Sequence, residues 1–342
     1  MSFIQFSPDD SVVSLELITS PMWSRNYYTL TASFSSSAQE GSTSGRSYLN
    51  VYNLQYDASG SEVQYSIAYG HISGSGSVLF NNSVNEKSPT RDVYGQFRNI
   101  AYGDENSVFN FGGSGGASRD IFALSVSRAR FKEAMNPGTW GLTLTNGANT
   151  ISLTDNSNDS SLVNFIAGNR VYYVVSGTLG KSYDGATVQT NSGSYGLFFP
   201  DMGVLVLNPR ALSLSYANKG IGLTIDETAA TSYTYGYNIN NSTLFRAISS
   251  GQSFSARSQE TISARYFFVN VKSSQYNYTT NPSIIDSNGN ILYSTLIDNP
   301  QTFPTTIGMY NASGDLLAVA KLSKPLPKDF TKQITCRVKL EF

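Results

Sequence analysis

Ile334, Cys336, Val338, Leu340 and Phe342 alternate one for one with Gln333, Thr335, Arg337, Lys339 and Glu341. Successive side chains point to opposite faces only where the chain is extended, so this spacing predicts a strand with one apolar and one charged face. The same short period runs through much of the chain. Trp140, Leu142 and Leu144 fall on one side of a strand that ends at the turn dipeptide Asn146-Gly147. Val63, Tyr65 and Ile67 share one side of another. Residues 204–207 are apolar throughout, which predicts a central strand covered on both faces, entered by a tight turn at Pro200 to Gly203. Further strands are predicted at 12–18, 48–56, 170–176 and 265–271, with a hairpin at 306–310 and 316–322.

Two segments depart from this period. Ser88 suits an N-cap, Pro89 suits the first helical position, and Val93, Phe97 and Ile100 recur at helical steps before Gly103, which predicts a helix near 89–101. Helix-forming residues between Arg128 and Met135, stopped by Asn136-Pro137-Gly138, predict a second near 127–135, with Arg128, Arg130 and Lys132 on its solvated face. The fold class is therefore mainly β, a β-rich α+β arrangement of short antiparallel strands in sandwich-like sheets. Three domains are expected: 1–155 with both helices, a central β domain at 156–258, and a C-terminal β domain at 259–342 that ends in a docking strand. The Ser- and Gly-rich stretches 32–46 and 70–77 are expected to be exposed or flexible loops. Residues 209–256 leave a short helix and an insertion equally open.

Charged residues make up 14% of the 342-residue chain, against roughly 25% in ordinary soluble proteins, and the net charge is −1. A near-neutral chain cannot neutralise many phosphates, which argues against nucleic acid as a main partner. A surface of Ser, Asn, Thr, Gly and Tyr suits either extensive subunit contacts or contact with glycans. The lone Cys336 has no partner for an internal disulfide. No apolar run approaches a membrane helix, so no membrane insertion is expected. The opening M-S-F-I-Q-F-S-P-D-D has no basic-then-apolar leader, so synthesis in the cytoplasm without export by that route is expected.

Chemistry is hard to assemble from these residues. His71 is the single histidine, which excludes a His-rich zinc site and forces any Ser-His-Asp triad to use it. Gly112-Gly113-Ser114-Gly115-Gly116 matches G-x-S-x-G in letters but lacks the buried strand that strains a nucleophile elbow. Asp155-Asn156-Ser157-Asn158-Asp159 resembles the start of a calcium loop, but Ser160 and Ile166 stand where a Gly and a Glu are needed. Asp104 and Glu105 read as solvated turn residues. The expectation is a protein that is not an enzyme, with no catalytic, metal or cofactor residues. A carboxylate pair that meets only in the fold stays open.

Candidate subunit-contact residues fall in two places. Tyr233, Tyr235 and Tyr237 project three rings from a polar segment. Lys332, Arg337, Lys339 and Phe342 belong to a basic tail in which Lys321, Lys324, Lys328, Lys332, Arg337 and Lys339 face only Asp329 and Glu341. The tail's charges either guard an edge strand or meet an acidic patch on a neighbouring subunit. Asp9, Asp10 and Glu16 make the opening segment acidic, and it is the second candidate docking element.

Several long stretches carry a family likeness: S-P-T-R-D-V-Y-G-Q-F-R-N-I-A-Y-G-D-E, D-I-F-A-L-S-V-S-R-A-R-F-K-E-A-M-N-P-G, T-I-S-L-T-D-N-S, residues 195–208, N-Y-T-T-N-P, T-T-I-G-M-Y-N-A-S-G-D-L-L-A-V-A-K-L-S-K-P and F-T-K-Q-I-T-C-R-V-K-L-E-F. In these the chain resembles virion structural proteins of contractile-tailed, T4-like bacteriophages of the type that infects cyanobacteria. Residues 209–256 have no part in the likeness. The resemblance implies a component of the phage tail in the virion, in the baseplate wedge or at a fibre-attachment point. Its partners would be other virion proteins and further copies of itself. A neck or capsid-surface position and a receptor- or polysaccharide-binding tail protein are the alternatives.

Overall fold

The structure is a computed structural model. It describes residues 4–22, 33–36 by their backbone, 48–52, 59–60, 62–76, 89–159, 163–227, 239–279 and 281–341. The chain forms two units, one of residues 18–260 and one of residues 1–17 with 261–342.

The larger unit is built on one antiparallel sheet. Its strands lie in the order Phe254–Ser255, Gly141–Asn146, Asn149–Asp155, Asn169–Thr178, Gly196–Phe199, Val204–Leu207, Asp120–Val126, Val63–His71, Tyr48–Tyr52 and Ser33–Ser36. Alternation sorts the side chains of its middle strands into two cores. Phe122, Leu124, Phe198, Leu205 and Leu207 face one side, while Ile121, Leu197, Phe199, Val204 and Val206 face the other. Each face is covered by a helix. Pro89–Tyr102 contributes Tyr94 and Ala101 to the second core, and Ile239–Gly251 contributes Leu244, Phe245, Ala247 and Ile248 to the first. Covered on both sides, all four residues of Val204–Leu207 are buried, as an apolar run without alternation requires. The turn before it holds Gly203 at φ 66°, a left-handed conformation that glycine adopts without strain.

Several expectations need correction. The first helix forms as predicted, but its buried face is Thr90, Val93, Tyr94 and Ala101, and Ile100 is exposed. Ser88, its expected cap, lies outside the described residues. The helix expected over 127–135 is a single 3-10 turn, Arg128–Arg130, followed by a short strand, Ala134–Met135. Both residues of that strand are buried, and they pair with Ser258 and Gln259, so sheet burial overrides the local helical preference. Arg128 instead lies over the Phe131 ring at 4.7 Å, and Arg130 and Lys132 pair with Glu62 and Glu260. The Gly70–Gly76 part of the expected flexible loop is packed: a Cβ on Gly70 would lie 2.8 Å from the Tyr94 amide nitrogen. Residues 37–47 of the other expected loop lie outside the described residues.

The expected boundary at 155/156 falls inside the large sheet, where Leu153, Thr154 and Asp155 pair with Ser176, Val175 and Val174. Residues 18–155 and 156–260 therefore share one body, and residues 1–17 belong with 261–342. The polar run at 155–159 that resembled the start of a calcium loop is a turn closed by its own side chains.

In the smaller unit, residues 264–271 of the strand Arg257–Val271 pair antiparallel with Ile334–Glu341, from Ala264 with Glu341 to Val271 with Ile334. The strand Ser11–Pro21 lies on the other side of Arg257–Val271. A separate two-stranded hairpin, Thr306–Tyr310 with Leu316–Lys321, and a short helix, Ser294–Asp298, complete the unit.

Candidate functional site

The stretches that imitate catalytic or metal motifs are occupied by structural hydrogen bonds. His71 is buried, and its Nδ1 accepts from the Ser73 amide at 3.2 Å. Burial holds the imidazole below its ordinary pKa, against the opposing pull of Asp120. Asp120 pairs with His71 across two strands, but its oxygens accept from Tyr69 Oη at 3.1 Å, Ser118 Oγ at 3.0 Å and Arg210 Nε at 3.0 Å. Its carboxylate is thus spent on a buried clamp between strand ends and the helix Pro209–Ser213. Ser114 sits in the exposed turn between the two-residue strands Phe109–Asn110 and Ala117–Ser118, not on a strand-to-helix elbow.

At 155–159 the side chains serve the backbone. Asp155 Oδ2 accepts from Gly138 N at 2.8 Å and Oδ1 from Ser157 N at 2.9 Å, while burial raises its pKa. Asn156 Oδ1 accepts from Tyr173 N at 3.0 Å, and Asn158 Nδ2 donates to Leu179 O at 2.7 Å. Among the described residues no group of three His, Cys, Asp or Glu side chains could hold a metal ion. A hollow of about 410 Å³ is lined by Val188, Gln189, Thr190, Asn191, Ala217, Asn218 and Lys219, a set with neither an aromatic ring nor a carboxylate.

The basic tail proves more informative. Lys339 pairs with Glu16 and with its own neighbour Glu341. Glu16 also accepts from the Tyr266 hydroxyl, and Arg337 lies over the Tyr266 ring at 5.2 Å. The acidic opening segment and the basic last strand, two candidate docking elements by sequence, are therefore partners in one molecule. The Lys339 hydrogen bond, then the Tyr266 one, holds the Glu16 carboxyl below its ordinary value. Glu16 and then Glu341 raise the Lys339 ammonium. Lys332 pairs with Asp329 at 2.9 Å.

Lys328 is not a surface charge at all. It is fully buried, and its Nζ donates to Ser273 O at 2.8 Å, Asn277 Oδ1 at 2.7 Å and Asp329 O at 2.9 Å. Sequence reasoning missed this pin because nothing local marks one lysine of a basic tail as internal. Tyr233, Tyr235, Tyr237 and Phe342 lie outside the described residues.

The smaller unit also offers apolar surface. Leu15, Leu17, Leu292, Leu316, Leu317 and Phe330 are all more than half exposed. Ala264, Met309, Cys336 and Val338 are the unit's buried apolar side chains among the described residues. Such a ratio of bare to buried apolar side chains is the reverse of that in the larger unit.

No family model, no curated protein and no solved structure matches this chain.

Proposed function

We propose that the chain is a non-enzymatic structural component of a contractile phage tail, in the baseplate wedge or at a fibre-attachment point, where it holds neighbouring subunits. The family likeness of its long sequence stretches supports this reading. The observation that carries it is the apolar exposure of the smaller unit, with Leu15, Leu17, Leu316, Leu317 and Phe330 bare over a minimal core. Large permanent interfaces are more apolar than ordinary protein surface, so a subunit destined for one carries such faces before assembly. Docking then works through apolar and backbone contact more than through the tail's charges, since Lys332 and Lys339 already have partners in the chain.

The test is the copy number of this chain in purified particles, measured by quantitative mass spectrometry. A small multiple of six supports a place in the six-fold tail; hundreds of copies favour the capsid-surface alternative. Absence from the particle overturns the reading. Removing 331–342 is a poor test, because it deletes a strand paired over its whole length with 264–271. Leu15→Lys and Leu17→Lys are better variants, since both side chains are exposed and neither needs the core.

A further inference from the structure

The hairpin of Thr306–Tyr310 and Leu316–Lys321 stands as a two-stranded sheet, paired to no third strand among the described residues. An isolated pair of strands is marginal in water, and three or more are needed for an independently stable sheet. One side of Leu316–Lys321 is taken by the hairpin partner, and its other edge has no strand paired to it among the described residues. Natural edges of this kind are guarded by charge, proline or irregularity. The edge strand Ile334–Glu341 is guarded in that way, with Arg337, Lys339 and Glu341 along it. Leu316–Lys321 has an irregularity at Leu317 but little charge: Leu317 is 69% and Val319 58% exposed, and Lys321 at its end is its lone charge.

The charges that flank this edge identify what covers it. The run is Asp315-Leu316-Leu317-Ala318-Val319-Ala320-Lys321. Laid antiparallel against an identical run about a two-fold axis at Ala318, it places each Asp315 opposite the other copy's Lys321. In sequence position, Val319 then falls opposite Leu317 and Ala320 opposite Leu316. Lys321 has no ion-pair partner among the described residues, and Asp315 is bonded to the neutral Asn311 amide at 2.8 Å. The edge is thus complementary to itself in apolar side chains and in charge. An isologous contact demands both, because the same patch must serve both partners.

We infer that Leu316–Lys321 is a self-pairing edge, through which two copies of this chain join their hairpins into a continuous four-stranded antiparallel sheet. Because it concerns free copies of the chain, this contact stands or falls separately from the assignment to a phage tail. The interface is small, so in free solution it forms at high concentration, on the order of 0.1 mM, and gains strength where neighbours are held side by side.

Sedimentation velocity of the full chain across that range is expected to show a monomer–dimer equilibrium. Asp315→Lys places two like-charged pairs across the axis and should weaken the dimer about tenfold. Adding Lys321→Asp to that variant should restore it, a rescue that a contact in another register or with another edge would not give. As a second reading, Ala318→Cys in a Cys336→Ser background should form a disulfide-linked dimer under mild oxidation, while Ala320→Cys should not. Two residues facing each other across a strand pair lie within disulfide reach. A chain that stays monomeric throughout, with no Ala318→Cys cross-link, overturns the inference and leaves the edge to a different protein. A dimer indifferent to Asp315→Lys overturns it as well.

Discussion

Lys328 is a buried cation whose acceptors are three neutral oxygens. Its three donors are matched one to one, which is what allows an ammonium to stay inside a unit with so little core. Lys328→Met keeps much of the volume and takes a donor from each oxygen; Ser273 O keeps Asn277 Nδ2 and Asp329 O keeps the Lys332 amide, so the cost is about 2 kcal/mol. Hydrogen exchange should then rise across 261–341 and stay unchanged in 120–126, which is outside that unit. Gly203 is the counterpart in the larger unit. Its φ of 66° disfavours any side chain, and a Cβ there would collide with the Phe131 ring. Gly203→Ala should lower stability by roughly 3 kcal/mol in denaturant titration. Phe131→Leu added to it should recover part of that loss, because it relieves the collision and leaves the backbone strain.

Among the elements, the strand Ser11–Pro21 is tied to Ile334–Glu341 through Glu16, Lys339 and Tyr266. The sign of its pH dependence follows from the two shifts. A carboxyl held below its ordinary 4.5 favours the folded state above that value, and the contribution is lost as pH falls through the lowered pKa. An ammonium raised above its ordinary 10.5 favours the folded state below that value, and this is lost as pH climbs through the raised pKa. Both contributions are in full force between about pH 4.5 and 10.5. Exchange in residues 11–17, corrected for intrinsic rates, should be flat across that window and rise in acid. Glu16→Gln should remove the acid step; a step that survives it would assign the behaviour to another group. In 209–256, where a short helix and an insertion were equally open, the structure forms the helix Ile239–Gly251, with Leu244, Ala247 and Ile248 spaced for one helical face.

Across the whole molecule, apolar burial is uneven. The two cores of the larger unit take in nearly every large side chain of the central strands, whereas the smaller unit buries Ala264, Met309, Cys336 and Val338. Regions with few buried apolar contacts open at lower free energy. In native-state exchange of the free chain, amides of 264–271 and 334–341 should therefore open before those of 121–125 and 204–207. Equal protection in both sets would show that the smaller unit needs no cover for its stability. Strand periods and turn residues act over a few positions, so the mainly β class, the 196–199 and 204–207 hairpin, the last strand and the first helix were determined by the sequence by itself. Lys339 and the acidic segment with Glu16 each stood out as docking candidates, but that they meet each other did not, because 323 residues separate Glu16 from Lys339. Only the tertiary structure decided that this contact closes within one chain, that Lys328 is inside, and that 127–135 is a 3-10 turn leading into the short strand Ala134–Met135 where its composition favours a helix. Each of these depends on which distant surfaces become neighbours, and burial among them outweighs the local preferences that a sequence displays.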